Sequence, residues 1–343
     1  MTRQLKGAVI GCGFFAQNHL NGWADIEGVE IVAVCDRDRA KAEAMRERFG
    51  IARAYDDAEA MFAAEKLDFV DIPTTMETHE ALVGLAVAHG VPTIVQKPFG
   101  PDLDACRRMV AAAAAAGVPL MVHENFRFQH VSRAVKRIID SGEIGDLTYC
   151  RLSWRTGFDI YAGQPYLAMV KRFVIMDVGI HILDLARYLF GDAGSVFCRT
   201  QQIKEGIAGE DAATILLQHD SGALSVLDVS YASRRGIEIF PHTLIDIEGT
   251  KGTIEVRADH AITVSGPGFS RTETVPHDVR SWTSEPWTLI QDSVVETQRH
   301  FVECLRTGTE PETSGRDSLL TYGLMEAAYA SAKSGQLVVP DRA

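Results

Sequence analysis

Apolar runs at residues 6–13, 29–36, 67–74, 91–98 and 118–126 alternate with helical periodicity at 14–26, 39–50, 56–64, 79–90 and 102–117. This rhythm is the strongest constraint on the fold. Strands separated by helices pair in parallel, because a crossover helix returns each strand to the same edge of the sheet. Right-handed crossovers then leave few topologies, of which the doubly wound sheet is the commonest. Gly50, Gly90 and Gly117 each follow a helical run and read as helix stops.

The first strand runs into Gly11-Cys12-Gly13-Phe14-Phe15-Ala16, a G-x-G-x-x-A turn with a strand before it and a helix after it. Gly11 suits the tight turn and Gly13 a close approach of backbone to pyrophosphate. Ala16 suits close helix–sheet packing. The amino end of the following helix offers free N–H groups and partial positive charge to phosphates. Asp36 ends the second strand, where a carboxylate accepts hydrogen bonds from the ribose hydroxyls. It would repel a 2′-phosphate, so NAD is expected rather than NADP. The candidate cofactor residues are therefore Gly11, Gly13, Phe14, Phe15, Ala16, Asp36 and its neighbour Arg37. The first domain is expected to be a Rossmann dinucleotide-binding fold over residues 1–124.

Charge excludes some partners. The net charge is −12, with no long basic run, so nucleic acid is not expected. The six cysteines are scattered without a C-x-x-C pair, which points to reduced thiols rather than a metal site or a disulfide framework. No apolar run reaches membrane-spanning length and no apolar signal region precedes the first strand. A cytoplasmic, membrane-free protein is the expectation.

Beyond about residue 125 the pattern changes. A helix at 131–145 precedes longer strands at 147–156, 195–203, 213–220, 222–233, 242–250 and 252–259, several alternating apolar with polar. Asp220-Ser221-Gly222 and Gly249-Thr250-Lys251-Gly252 are hairpin signals. Helices at about 287–307 and 314–334 close the chain. This reads as an α+β domain, residues 125–343, built on a large, mainly antiparallel open sheet. The closing helix could pack back on the first domain. One face of such a sheet needs cover, so a homodimer or homotetramer through that face is expected.

One residue stands out at a strand end. Lys97 follows an apolar run and precedes Pro98, which biases it to extended backbone. It lies at the carboxyl edge of a parallel sheet, where open α/β sheets bind ligands. Gln96-Lys97-Pro98, HENFRF at 123–128 and MDVGIHILDLARYLFG at 176–191, together with the glycine turn and Asp36, resemble the Gfo/Idh/MocA oxidoreductase family over essentially the whole chain. The resemblance implies an active-site lysine, Lys97, and an aspartate and histidine beside the substrate, Asp177 and His181. It departs from the family at two points. Gln96 stands in place of a glutamate, and Ile175-Met176 in place of paired glycines.

The chemistry implied is hydride transfer from a sugar or polyol hydroxyl to NAD. A neutral histidine suits removal of the hydroxyl proton near neutral pH, so His181 is the expected base. Asp177, four residues earlier on the same helix, would orient hydroxyls, and Lys97 would stabilise charge on the reacting oxygen. Thr74 and His79 bracket a loop expected near the cofactor, with Gln96 and Lys97. Asn125, Arg127 and Arg155 are further substrate candidates. An aldose, a pentose such as xylose or apiose, oxidised at C1 to a lactone, is the expected substrate. The alternatives are an inositol 2-dehydrogenase, a redox-neutral member or a regulatory NAD-binding member.

Overall fold

The computed structural model describes residues 3–342. They form two compact units, one of residues up to Asn125 together with Gln291–Leu319, the other of Phe126–Ile290 with residues from Leu320 onward. Residues 291–319, which a single division after residue 124 leaves in the second domain, belong to the first unit.

In the first unit, β1 (Leu5–Ile10), α1 (Ala16–Ala24), β2 (Val29–Cys35), α2 (Arg39–Phe49), β3 (Arg53–Tyr55), α3 (Ala58–Ala64), β4 (Phe69–Ile72), α4 (His79–Ala88), β5 (Thr93–Gln96), α5 (Leu103–Ala116) and β6 (Leu120–His123) follow in order. The six strands are parallel, in the order β3-β2-β1-β4-β5-β6, which is the doubly wound arrangement. The three-residue β3 was not foreseen, being too short to carry a period. Local chemistry sets the helix ends. Asp38, Asp57 and Asp102 each accept a backbone N–H at the start of a helix, and Gly50 and Gly117 end α2 and α5 in the left-handed region. β4 and β5 are wholly buried, as strands covered on both faces must be.

The second unit holds α6 (His130–Asp140), β7 (Leu147–Arg155), α7 (Ile160–Gly163), α8 (Ile180–Phe190), β8 (Ala193–Gln201), β9 (Ala212–His219), β10 (Leu224–Ser230), β11 (Leu244–Gly249), β12 (Thr253–Val256), β13 (Ala261–Gly266) and β14 (Phe269–Thr274). The last two strands lengthen the sheet beyond the sequence expectation. Its order is β14-β13-β12-β11-β7-β10-β9-β8, and every pair is antiparallel except β7 with β10. One face is apolar and buried, with Leu152, Trp154, Ile215, Leu217, Ile245 and Ile254 among its side chains. α8 lies against β7 and β10. The opposite face carries Tyr149, Arg151, Arg155 and Val226, with Leu216 and Leu224 each 42% exposed.

Two long helices end the chain, α9 (Thr288–Thr307) and α10 (Gly315–Ser334). Within the first unit Gln298 Nε2 donates to the carbonyl of His19 at 3.1 Å, and Phe301 meets Phe69 edge-on at 6.0 Å between centroids. These contacts explain why residues 291–319 join the parallel sheet's unit.

Candidate active site

β1 ends at Ile10, and Gly11 N donates to the Cys35 carbonyl at 2.7 Å, which folds the turn onto the end of β2. Gly11 has φ +107, and a Cβ there would stand 2.7 Å from Thr74 Cγ2. Both facts require glycine. At Gly13 a Cβ would meet nothing within 4 Å, so the backbone faces open space. Ala16 is fully buried against the sheet, while Phe14 is 61% exposed and Phe15 half-buried. No side chain caps α1 and no acid lies in its first turn, so its positive end is unopposed.

Asp36 is pinned to this turn. Its Oδ2 accepts Cys12 N–H at 2.7 Å and its Oδ1 accepts Asp38 N–H at 2.9 Å. Each oxygen keeps a lone pair for a further donor. Burial, and then the Asp36 charge, push the Cys12 thiol up to about 12, so this cysteine is no nucleophile. Arg37 is exposed beside Asp36. An open backbone at Gly13, an uncapped helix end and a carboxylate at the second strand's end together fit an adenine dinucleotide.

Thr74 lines the same turn and accepts a hydrogen bond from Thr78 at 2.8 Å. His79 is fully buried. Its Nδ1 faces the Phe99 carbonyl at 3.0 Å and its Nε2 the Thr74 carbonyl at 3.1 Å. Burial holds its pKa below the usual value, against those carbonyls, and the ring ties the loop after β4 to the segment after β5.

β5 stops at Gln96, and Lys97 is half-buried just beyond it, with a cis bond to Pro98. The Gln96 side chain turns inward and is 8% exposed. It accepts Lys97 N–H at 2.7 Å and reaches His19 Nε2 at 2.9 Å. His19 Nδ1 and Trp23 Nε1 both donate to Asp71 Oδ2, at 2.7 and 2.6 Å. Asn125, just past β6, is buried and donates to Ser293 Oγ at 2.7 Å.

In the second unit Asp177 lies in a π turn, Ile175–Gly179, that leads into α8. The regular helix expected there is widened where the aspartate sits, a departure common at functional sites. Asp177 is half-buried and accepts the Tyr231 hydroxyl at 2.9 Å. Burial, and then Asp177, raise the Tyr231 phenol well above its ordinary value, so it remains a donor. His181 is buried in the first turn of α8 and stacks on Phe126 at 4.2 Å. Tyr161 and Tyr166 also feel the Asp177 charge, and burial takes Tyr161 up to about 12.

Two candidates sit elsewhere. Arg127 is buried and forms a two-pronged ion pair with Asp184 of α8, one contact being 2.7 Å. Arg155 alternates with Trp154 along β7, so it points to the sheet's opposite face. There it lies 3.5 Å from Asp228, alongside Arg151. Trp154 meets Tyr231 edge-on at 5.0 Å, so Arg155 faces away from the side that bears Tyr231 and Asp177. Arg172 is tied to Glu326 at 2.7 Å and lies over Tyr329, while Lys171 is exposed. Sequence reasoning missed Tyr231, Phe126, His19 and Asp71. An aromatic or histidine inside an apolar element reads as core, and no sequence signal marks its polar partner.

Known proteins match both units. Residues 5–124 match the oxidoreductase family with an NAD-binding Rossmann fold, and residues 132–255 match the GFO/IDH/MocA C-terminal domain. A D-apiose dehydrogenase of Paraburkholderia graminis is 52% identical over 337 residues, covering 98% of this chain and 90% of that one. A scyllo-inositol 2-dehydrogenase (NAD+) of Bacillus subtilis is 28% identical, covering 99% and 98%. The crystal structure of an oxidoreductase from Agrobacterium radiobacter in complex with NAD+, L-tartaric acid and magnesium superposes with a TM-score of 0.96 at 49% identity, over 98% of both chains. The chain therefore belongs to the Gfo/Idh/MocA family of NAD-binding oxidoreductases.

Proposed function

We propose that this protein oxidises D-apiose at C1 to the lactone, in an NAD-dependent reaction. The observation that carries the reading is full-length identity of 52% to a D-apiose dehydrogenase, against 28% to the inositol enzyme. Lys97, Asp177 and His181 are all present to serve it.

Bound NAD supplies the hydride acceptor. His181 takes the hydroxyl proton as hydride leaves the carbon, and stacking on Phe126 fixes the plane of its ring. Lys97 places its ammonium against the oxygen on which charge builds. Asp177 receives sugar hydroxyls, and the Tyr231 hydroxyl holds its Oδ2 at 2.9 Å. Gly11, Gly13, Phe14, Phe15, Ala16, Asp36 and Thr74 carry the cofactor.

The test is NADH absorbance with NAD+ and a panel of D-apiose, D-xylose and inositols. D-Apiose should exceed the others in kcat/KM by well over about tenfold, since a hydroxyl held in the wrong place leaves a buried polar group of the site unpaired. Faster turnover of an inositol would overturn the substrate. Bound NAD without NADH release on any sugar would favour the redox-neutral reading.

We also propose that the exposed sheet face pairs with a second copy, giving a homodimer or homotetramer. Leu216 stands opposite both Val226 and Phe197 on neighbouring strands, so apolar side chains form a row on that face. Leu216→Arg is expected to lower the mass measured by light scattering to that of a smaller species. An unchanged mass would remove this face from the assembly. The six cysteines, all reduced and buried, suit a reducing compartment such as the cytoplasm. Among the described residues no helix is long and apolar enough to cross a membrane.

A further inference from the structure

We infer that Asp71, His19 and Gln96 form a positioning chain that fixes the backbone at Lys97 and requires an amide, not a carboxylate, at position 96. The inference rests on the reading of Lys97 as the group at the reacting oxygen.

Hydrogen-bond direction carries the argument. Lys97 N–H can only donate, so the Gln96 atom 2.7 Å from it is the carbonyl oxygen. The Gln96 amide nitrogen then faces His19 Nε2 at 2.9 Å. An NH2 group needs a lone pair there, so Nε2 carries no proton. The proton of the neutral ring is on Nδ1, which donates to Asp71 Oδ2 at 2.7 Å. Trp23 Nε1 donates to the same oxygen at 2.6 Å and holds Asp71 as the acceptor. Every hydrogen bond of the chain thus runs in one direction, from Lys97 N–H through Gln96 and His19 to Asp71.

Burial makes the chain rigid. His19 and Asp71 are fully buried and Gln96 is 8% exposed. The His19 ring also lies against that of His123, tilted at 38° with centroids 4.4 Å apart, and His123 pairs with Gln96 across β5 and β6. The three side chains come from α1, β4 and β5, so the glycine turn's helix and the lysine's strand are locked together. A buried polar network with all its donors directed specifies one geometry. A glutamate at position 96 would set a carboxylate oxygen against the Nε2 lone pair. One of the two must then take a proton, and His19 becomes an imidazolium between two carboxylates. This chain's glutamine avoids that charge rearrangement beside Lys97.

The experiment combines ring-nitrogen NMR of 15N-labelled protein with kinetics of Gln96→Glu and Gln96→Met. In the wild-type protein at neutral pH, His19 should show a protonated Nδ1 and a bare Nε2. In Gln96→Glu both nitrogens should be protonated. Gln96→Met should speed hydrogen exchange of the Lys97 amide by at least about tenfold, since its acceptor is gone. With the sugar that turns over, Gln96→Met should lower kcat by about 10–100-fold, leaving KM for NAD within about threefold. Gln96→Glu should shift the pH profile of kcat. A wild-type His19 protonated on Nε2 would overturn the hydrogen-bond direction. Variants with unchanged kcat and pH profile and only a lower melting temperature would overturn the positioning role. The NMR and exchange measurements need no turnover, so failure of the dehydrogenase reading is told apart from failure of the chain.

Discussion

Lys97→Met is expected to lower kcat for sugar oxidation by about 10³-fold while changing the NAD dissociation constant by no more than about tenfold. Methionine keeps an unbranched stem of similar length, so the end of β5 should keep its packing. What is lost is the ammonium. Charge on the oxygen rises as the proton leaves, and a fixed cation there stabilises that state more than the bound alcohol. His181 can still accept the proton in the variant, so residual turnover should remain above background. The measurement is steady-state NADH production beside calorimetric NAD binding. A variant with full kcat would show that Lys97 is no more than a charged strand end, and the proposed chemistry would fall. If NAD binding collapses as well, the lysine serves the cofactor rather than the reacting oxygen.

The second large effect is on stability. Arg127→Met should destabilise the protein by about 3–5 kcal/mol, because it removes the two-pronged partner of a carboxylate buried in the interior. The ion-pair side chains are 5% and 2% exposed, so solvent cannot replace the arginine. Thr321 Oγ1 donates to Asp184 Oδ1 at 3.1 Å and accepts from Arg187 at 2.7 Å, a neutral link that does not replace the two-pronged contact with Arg127. Arg127→Met combined with Asp184→Leu should recover much of the loss, since burying two apolar groups is not costly in the way one unpaired charge is. Chemical denaturation of the three variants reads this directly. Equal stability of wild type and Arg127→Met would show that Asp184 has another counter-charge. Arg127 on this account holds α8 beside the short helical turn Phe126–Phe128, and so sets the height of His181 and Phe126 in their stack.

Much of this was legible in the sequence for a physical reason. A parallel sheet is read from its own periodicity, and Gly11, Asp36 and Lys97 lie at strand ends that periodicity marks. Arg155 shows where such reading stops. It neighbours a buried tryptophan, yet β alternation turns it to the other face, so a shift of one residue decides between substrate and solvent. Arg127 reads as a substrate candidate, but it pairs with Asp184 on α8, far along the chain. Tyr231 is one of many aromatics and gains meaning only from Asp177. The π turn at Ile175–Gly179 has no composition cue at all. β13 is short though it alternates, with Ile262 and Val264 buried, and β14 is exposed along its length, so neither stood out in the sequence.

The path of the chain has a consequence for how the protein is made. The backbone passes from one unit to the other three times, after Asn125, Ile290 and Leu319. When Asn125 leaves the ribosome, all six parallel strands exist, but the segment that meets Phe69 and the carbonyl of His19 has not been synthesised. At roughly 5–20 residues per second it arrives about ten to forty seconds later. For that interval the nascent first unit presents an apolar flank that only its own C-terminal part can cover. Newborn chains should therefore depend on holding factors until Leu319 emerges, and an excised N-terminal half should aggregate where the full-length chain stays in solution.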